Sequence, residues 1–296
     1  MGVPGITPHS SAAGTANGVL TEPVSPSAYG VASRSFDDGW KEISTLAITE
    51  AAQKNHDELF PGHVSTLKVT DPELIEYFDN FAFDEVLRHG DLDTRTRLMV
   101  QLASMIASQA VSEYRVMLGA ALTVGVTPVE VKEIVYHAVP YVGMAKVFDF
   151  LHATNDVLKQ RGAELPLPGQ STTTPEDRAA KGLAVQREIV GADVVDGLYA
   201  SAPDDERHIQ HYLSANCFGD HFTRTGLDVP TRELLIFTML VSLGGCEPQV
   251  KGHVAANLRV GNDRSRLIDV LTQLLPYIGY PRTLNGLRVI DEVSPA

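Results

Sequence analysis

The chain has 296 residues and a formal net charge of −13, with 44% hydrophobic and 21% charged residues, as in soluble globular proteins. The negative charge argues against nucleic-acid binding, which depends on Lys and Arg neutralising phosphates. No apolar run approaches the ~18 residues that a membrane span needs. Two cysteines, Cys217 and Cys246, exclude a disulfide scaffold and a Cys-rich zinc site, and are typical of a reducing cytoplasm.

The first 35 residues have an unusual composition. They are rich in Gly, Pro, Ser and Ala, and their only charged residues are Glu22 and Arg34. They lack the basic segment and apolar core of a signal peptide. Such a composition cannot bury enough apolar surface to offset the entropy of ordering. We therefore predict a flexible N-terminal arm over residues 1–35.

Helices are the only regular elements that the first half of the sequence predicts. Asp71, which precedes a proline, and Asp93 are typical helix N-caps. Thr127 opens a third helix with a capping box. Pro140 is expected to interrupt or end that helix, and a last helix is expected from about residue 144 to 158.

A linker and further helices follow. Residues 163–175 contain three prolines, a glycine and a run of threonines, and predict a linker. A helix is expected to open at Thr174. The apolar run 234–243 is too densely hydrophobic for a surface helix and predicts a helix in the core. Another helix is expected from about residue 247 to 259.

The two halves of the chain resemble each other. The Leu-Asp pair at Leu92, followed by Thr and Arg, recurs 135 residues later at Leu227. Pro140-Tyr-x-Gly recurs 136 residues later at Pro276. Such an ordered series indicates a duplication. We predict an all-α protein of two homologous helical domains, residues 36–162 and 176–296.

The start of the helix near residue 247 is the first candidate site. Its free N–H groups and positive dipole end suit a carboxylate substrate, and the same dipole tends to lower the pKa of the neighbouring Cys246 thiol. His253 follows Glu247 by six residues, which places the two on different faces. They converge only if Glu247 lies in the loop and folds back over the helix. His208 and His211 share a helix face, but without a third ligand they predict no metal site.

Several stretches of the second half carry a family resemblance. They are residues 218–228, 231–235, 247–253 and 276–285. Together they resemble the carboxymuconolactone decarboxylase family, which includes the alkyl hydroperoxide reductase D-like peroxidases. The first half, about residues 38–160, resembles the family more weakly. The resemblance implies the all-α fold of that family.

The resemblance also implies a reaction and its residues. It implies a decarboxylase-type lyase acting on a small carboxylated lactone or keto acid, with His253 as general acid and Glu247 orienting it. This chemistry requires no cofactor and no metal. Cys246 is the third candidate catalytic residue. The expected substrate-binding residues are His221, Phe218 and Tyr277. The alternatives are that His221 is exposed to solvent and that Tyr277 serves in packing.

Two other functions stay open at this point. The peroxidase branch uses a Cys-x-x-Cys pair followed by a His, whereas Gln249 stands here at the second cysteine position. A peroxidase would therefore use Cys246 with an external thiol. Glu233 lies near the position of that branch's upstream glutamate, without an assigned role. The other alternative is a non-catalytic, ring-forming binding protein.

The first half departs further from the family pattern. Val111 and Met117 stand where the second half has Glu247 and His253, so this copy is expected to have lost its site. Glu113 either lends a carboxylate to a composite pocket or is a solvated helix residue.

Single-copy members of the family form rings. We therefore expect a homo-oligomer, with a trimer of tandem chains as one arrangement.

Overall fold

The computed structural model describes residues 47–63 and 65–296. Within these ranges the regular secondary structure is helical and contains no strand. The all-α fold class with two homologous helical domains is thus confirmed, whereas the predicted arm over residues 1–35 lies outside the described residues. None of the described helices combines the length and the apolar character needed to cross a bilayer.

The described part of the first repeat contains seven α-helices. They are α1 (Glu50–Leu59), α2 (Leu67–Thr70), α3 (Pro72–Asn80), α4 (Thr94–Ser108), α5 (Val111–Thr123), α6 (Pro128–Val142) and α7 (Met144–Gln160). Helix α3 continues through a π-helical turn, Phe81–Glu85, and a 3-10 turn, Val86–Arg88.

The second repeat follows a helix-free stretch, residues 161–177. Its helices are α8 (Arg178–Val190), α9 (Ala192–Ser201), α10 (Arg207–Tyr212), α11 (Val229–Leu243), α12 (Glu247–Arg259) and α13 (Arg264–Val293). A π-helical segment, Leu213–Phe222, continues α10. Helix α13 is kinked at Gly279, where φ is +75°.

Local capping accounts for several helix starts. The Asp93 side chain accepts a hydrogen bond from the Thr96 N–H, and Thr127 forms the predicted capping box with Glu130. Asp71 precedes α3 without a side-chain capping bond, contrary to the expectation.

Two helix ends differ from the sequence expectation. Helix α6 continues past Pro140 and ends at Gly143, where φ is +89°. A proline in the last turn removes only one backbone hydrogen bond, so the helix tolerates it there. The helix expected at Thr174 begins instead at Arg178, because the Asp177 carboxylate accepts from the Thr174 N–H and closes a turn.

The duplication is visible in the register of the helices. Helices α4 and α11 have equal lengths, as do α5 and α12, and Gly143 and Gly279 occupy equivalent breaks with positive φ. Helices α4 and α11 pack against each other and are buried along most of their length. The two repeats consequently share one hydrophobic core within a single compact unit.

Close backbone packing places the π-helical segment. A Cβ atom at Gly182 of α8 would lie 2.0 Å from the carbonyl oxygen of Ser214. A Cβ at Gly219 would lie 2.3 Å from the carbonyl oxygen of Arg178. Glycine is therefore required on both sides of this contact. The contact holds the segment that carries Cys217, Phe218 and His221 against the core.

We predict that Gly182→Ala lowers the free energy of unfolding by roughly 1–3 kcal/mol, because the added methyl group overlaps the Ser214 backbone. Gly197→Ala in α9 is the matched control. Its Cβ meets no atom within 4 Å, so better helix propensity should stabilise the protein by up to ~1 kcal/mol. Urea denaturation measures both, and equal effects of the two substitutions would contradict the packing argument.

Candidate active site at the interface of the two repeats

The central pair of the site is His253 on α12 and Glu233 on α11. Nδ1 of His253 lies 2.8 Å from Oε2 of Glu233, whose side chain is fully buried. The amide of Asn257 donates to the backbone oxygens of Glu233 and His253 and ties the two helices together. When the Glu233 carboxylate accepts a hydrogen bond from Nδ1–H, it orients the imidazole and leaves Nε2 available for chemistry.

Glu247 does not occupy the expected position beside His253. It is the first residue of α12 and not part of the preceding loop, so it does not fold back over the helix. Six residues advance a helix by about 9 Å and turn it onto another face. The carboxylate that is hydrogen-bonded to His253 therefore belongs to Glu233, to which the sequence assigned no role. The catalytic role expected of His253 stays a prediction, whereas our proposal gives the orienting role expected of Glu247 to Glu233.

Cys246 and Glu247 instead line a small cavity beside Arg282. Its volume is about 20 Å³, enough for about one water molecule but not for a carboxylated lactone. The Cys246 thiol donates a hydrogen bond of 3.2 Å to the Leu240 carbonyl oxygen. Burial, with the charge of Glu247, raises the pKa of the Cys246 thiol. The expected lowering by the helix dipole is thus outweighed.

The first repeat contributes directly to the site. The ring of Tyr141, near the end of α6, meets the His253 ring edge-on with centroids 5.9 Å apart. The Cys217 thiol lies 3.5 Å from the Tyr141 hydroxyl, and burial raises the pKa of this thiol to about 11. The site is therefore assembled from both repeats, and not from the second repeat alone.

Tyr277 lies elsewhere, against Phe78 of the first repeat, with ring centroids 5.9 Å apart. The reason is that α6 and α13 each pack against helices of both repeats: α6 lies on α4 and α11, and α13 lies on α11 and α4. Each tyrosine therefore contacts the other repeat, Tyr141 at His253 and Tyr277 at Phe78. The substrate-binding role expected of Tyr277 stays a prediction.

A buried ion cluster joins the repeats next to this pair. Glu133 of α6 accepts hydrogen bonds of 2.9–3.0 Å from Nε and a terminal nitrogen of Arg224. Arg232 of α11 donates to the same carboxylate at 3.0 Å and to the carbonyl oxygens of Arg224 and Thr225. Glu133 and Arg232 are both buried. Two guanidinium groups thus compensate one carboxylate, leaving an excess of positive charge.

His137 connects the ion cluster to Tyr141, which follows it by one helical turn. Nδ1 of His137 lies 3.4 Å from a terminal nitrogen of Arg232 and accepts a hydrogen bond from it, because a guanidinium group only donates. Burial, reinforced by the positive charge of Arg232, lowers the pKa of His137 well below its ordinary value. The imidazole is accordingly neutral at physiological pH.

Several buried polar atoms of this region have no hydrogen-bond partner among the described residues. They are Oε1 of Glu233, Nε2 of His137, Nδ1 of His221 and Nε of Arg232. Buried polar groups are normally paired, so this cluster of unpaired atoms is a candidate position for a polar ligand.

Phe218 and His221 reach the cluster from the π-helical segment. Phe218 stacks on Phe222 at 5.5 Å, and the Phe222 ring meets the His137 ring at 5.4 Å. Burial lowers the pKa of His221. The structure thus brings both residues to the surroundings of His137, while their contact with substrate stays a prediction. Within residues 47–63 and 65–296, no three His, Cys, Asp or Glu side chains are grouped so that they could hold a metal ion.

The equivalent region of the first repeat is an aromatic pocket of about 710 Å³. Tyr277, Glu113 and Ala110 line it, together with several phenylalanines. Met117, at the position of His253, is buried in the core. Glu113 is exposed at the pocket edge, and the surrounding walls raise the pKa of its carboxyl group.

Sequence reasoning missed the contribution of α6. Glu133, His137 and Tyr141 are spaced four residues apart and form a polar stripe on a largely buried helix. Such a stripe on an apolar helix predicts a polar contact with a neighbouring element, because buried polar residues need partners.

Comparison with known proteins agrees with the duplication. The pattern described as the carboxymuconolactone decarboxylase family matches residues 72–156 and 207–292, more than half of the chain. A curated 4-carboxymuconolactone decarboxylase from Acinetobacter baylyi is 26% identical over 118 residues, which cover 40% of this chain and 87% of that protein.

We predict that acid destabilises the protein partly through His137. Its pKa is lowered in the folded state, so its contribution to stability is present above the ordinary value of 6.5 and is lost as the pH falls below it. His137→Gln should therefore reduce the slope of unfolding free energy against pH below 6.5, by up to ~1.4 kcal/mol per pH unit.

His208→Gln, which changes an exposed histidine on α10, is the matched control and should leave the slope unchanged. Urea denaturation between pH 5 and 7.5 gives both slopes. An unaltered slope in His137→Gln would show that this imidazole is not held neutral by the fold.

Proposed function

Because the chain belongs to the carboxymuconolactone decarboxylase family, we propose that it is a carboxy-lyase that removes CO2 from a small carboxylated lactone or keto acid. The relative named 4-carboxymuconolactone decarboxylase supports this class of substrate. The observation that carries the proposal is the His253–Glu233 pair, which lies among buried polar atoms without partners. An acid–base pair in such surroundings is typical of proton transfer to carbon.

The proposed reaction has two steps. The carbon–carbon bond to the carboxylate breaks, CO2 leaves, and the electron pair moves into the conjugated carbonyl system as an enolate. The His253 imidazolium then donates its Nε2 proton to carbon, and solvent returns the proton afterwards. Glu233 accepts the Nδ1–H bond throughout and stabilises the cationic form of the ring.

Electrostatic stabilisation of the enolate is assigned to the ion cluster. The two arginines on Glu133 leave an excess of positive charge near His137 and His253. A positive charge in a buried site favours an anionic substrate and a developing oxyanion. The N–H groups at the start of α12 are about 9 Å along the axis from His253, since each residue advances the helix by 1.5 Å. They are therefore a poor choice for this role.

The thiol chemistry of the alternative peroxidase receives no comparable support. The reactive species in peroxide reduction is the thiolate. Burial raises the pKa of both Cys246 and Cys217, the latter to about 11. Both thiols are accordingly protonated and weakly nucleophilic near neutral pH.

We predict that His253→Gln lowers kcat/KM for CO2 release from 4-carboxymuconolactone by ~10²-fold or more, the usual contribution of a general acid. Glu233→Gln should also lower kcat, because the amide no longer stabilises the imidazolium. Glu247→Gln is the matched control, since the same change on α12 lies away from His253 and should leave kcat close to wild type. Lactone absorbance and released CO2 provide the two readouts.

Cys246→Ser separates the lyase from the peroxidase. The lyase keeps its activity in this variant, whereas a peroxidase loses it. A wild-type protein that releases no CO2 from the lactone or from β-keto acids, or a Glu247→Gln variant impaired as strongly as Glu233→Gln, would contradict the proposed assignment.

We also propose a homo-oligomer, and exposed apolar side chains support it. Met144 and Phe148 are exposed on α7, and Tyr280 and Leu284 are exposed at the equivalent positions of α13. Exposed apolar residues thus recur at the same positions of both repeats. The two repeats therefore offer similar contact surfaces to neighbouring subunits, which suits a closed symmetric assembly.

We expect the double substitution Phe148→Asp and Leu284→Asp to reduce the particle mass measured by mass photometry, because it places charge in the apolar contact. Val69→Asp is the matched control at another exposed apolar residue, on α2, and should leave the mass unchanged. A wild-type protein that is monomeric at all concentrations would contradict the oligomer.

A further inference from the structure

Another cavity lies beside α6, between this helix, α7 and residues 165–170. We call it the α6 pocket; its volume is about 460 Å³. This size is typical of sites for small molecules. Lys132 and Tyr136 face the α6 pocket, whereas His137 and Tyr141 lie in the cluster around His253. The α6 pocket therefore does not include His253, although Glu133 and Arg224 of the ion cluster also line it.

The charges that line the α6 pocket are mostly positive. They come from Lys132, Lys159 and Arg224, and the carboxylate among the lining residues is Glu133. Glu133 is already bound by Arg224 and Arg232. In a chain with a net charge of −13, this is a local concentration of positive charge. Such a cavity attracts anions.

The surroundings of Lys132 independently point to an anionic ligand. Its residue is 9% exposed, and its ammonium donates a hydrogen bond of 2.5 Å to the neutral amide oxygen of Asn155. No carboxylate of the described residues forms an ion pair with it. Lys132 and Arg224 both lie over the ring of Tyr136, at 5.5 and 5.2 Å. Buried charges are normally paired, so this ammonium is one counter-ion short.

The remaining walls of the α6 pocket are apolar. They are formed by Val129 and by the linker residues Leu165, Pro166, Leu167 and Pro168. We propose that the α6 pocket binds a small organic carboxylate, with the carboxylate on Lys132 and the apolar body against the linker. Lys159, at the exposed edge, attracts the ligand from solvent. This proposal is tested separately from the lyase reaction, because adipate binding is measured without turnover and at Lys132, which has no role in the proposed lyase mechanism.

Isothermal titration calorimetry with adipate, a six-carbon dicarboxylate, tests the proposal on the full chain. Adipate should bind the wild-type protein more weakly as NaCl is raised, and roughly tenfold more weakly to Lys132→Met, which keeps the buried aliphatic stem. Lys54→Met removes a lysine of α1 outside the pocket and should bind adipate like wild type. His253→Gln should also bind it like wild type.

Each alternative result overturns the proposal. These are undetectable adipate binding to wild type, unchanged binding in Lys132→Met, loss of binding in His253→Gln, and inorganic phosphate binding as tightly as adipate. If Lys132→Met is not folded by circular dichroism, Lys159→Gln decides, because the exposed residue can be changed without disturbing the core. Wild-type affinity in that variant contradicts the proposal, and weaker binding supports it. If the protein releases no CO2 in the lyase assay, the adipate-binding results keep the same meaning.

Discussion

The contact on which the candidate site depends is the buried ion cluster of Glu133 with Arg224 and Arg232. It joins α6 of the first repeat to the second repeat, and it satisfies the carboxylate with hydrogen bonds from both arginines. Removing one partner of such a buried cluster typically costs ~3–5 kcal/mol, because a charge is then left without compensation. With α6 held in this way, the next two turns of the helix bring His137 and Tyr141 to His253.

The duplication produced two similar frameworks with different polar contents. In the second repeat, Arg232 has a carboxylate partner on α6. In the first repeat, its counterpart Arg97 is buried but forms no ion pair within the described residues. The counterpart of Glu133 is the shorter Asp269, which accepts a hydrogen bond from the backbone N–H of Asp91 instead. The same helices therefore build a buried carboxylate–imidazole pair in one repeat and an aromatic pocket in the other.

The electrostatics of the site favour acid–base chemistry over thiol chemistry. A buried carboxylate holds an imidazole, neighbouring histidines are kept neutral by burial, and both cysteines are kept protonated. Helix α6 is central to this arrangement, because its Tyr141 contacts His253 while its Lys132 and Tyr136 line the α6 pocket.

The sequence by itself determined the helices and the duplication. Helix boundaries follow from caps such as Asp93 and Thr127, which act within one turn, and the repeated spacing survives in the register of α4 and α11. Only the tertiary structure decided that Glu233 and Tyr141, and not Glu247 and Tyr277, lie beside His253. The physical reason is that side chains on different helices meet through packing. The contacts of α6 with α11 and of α13 with α4 depend on the shared core, which no spacing along the chain records.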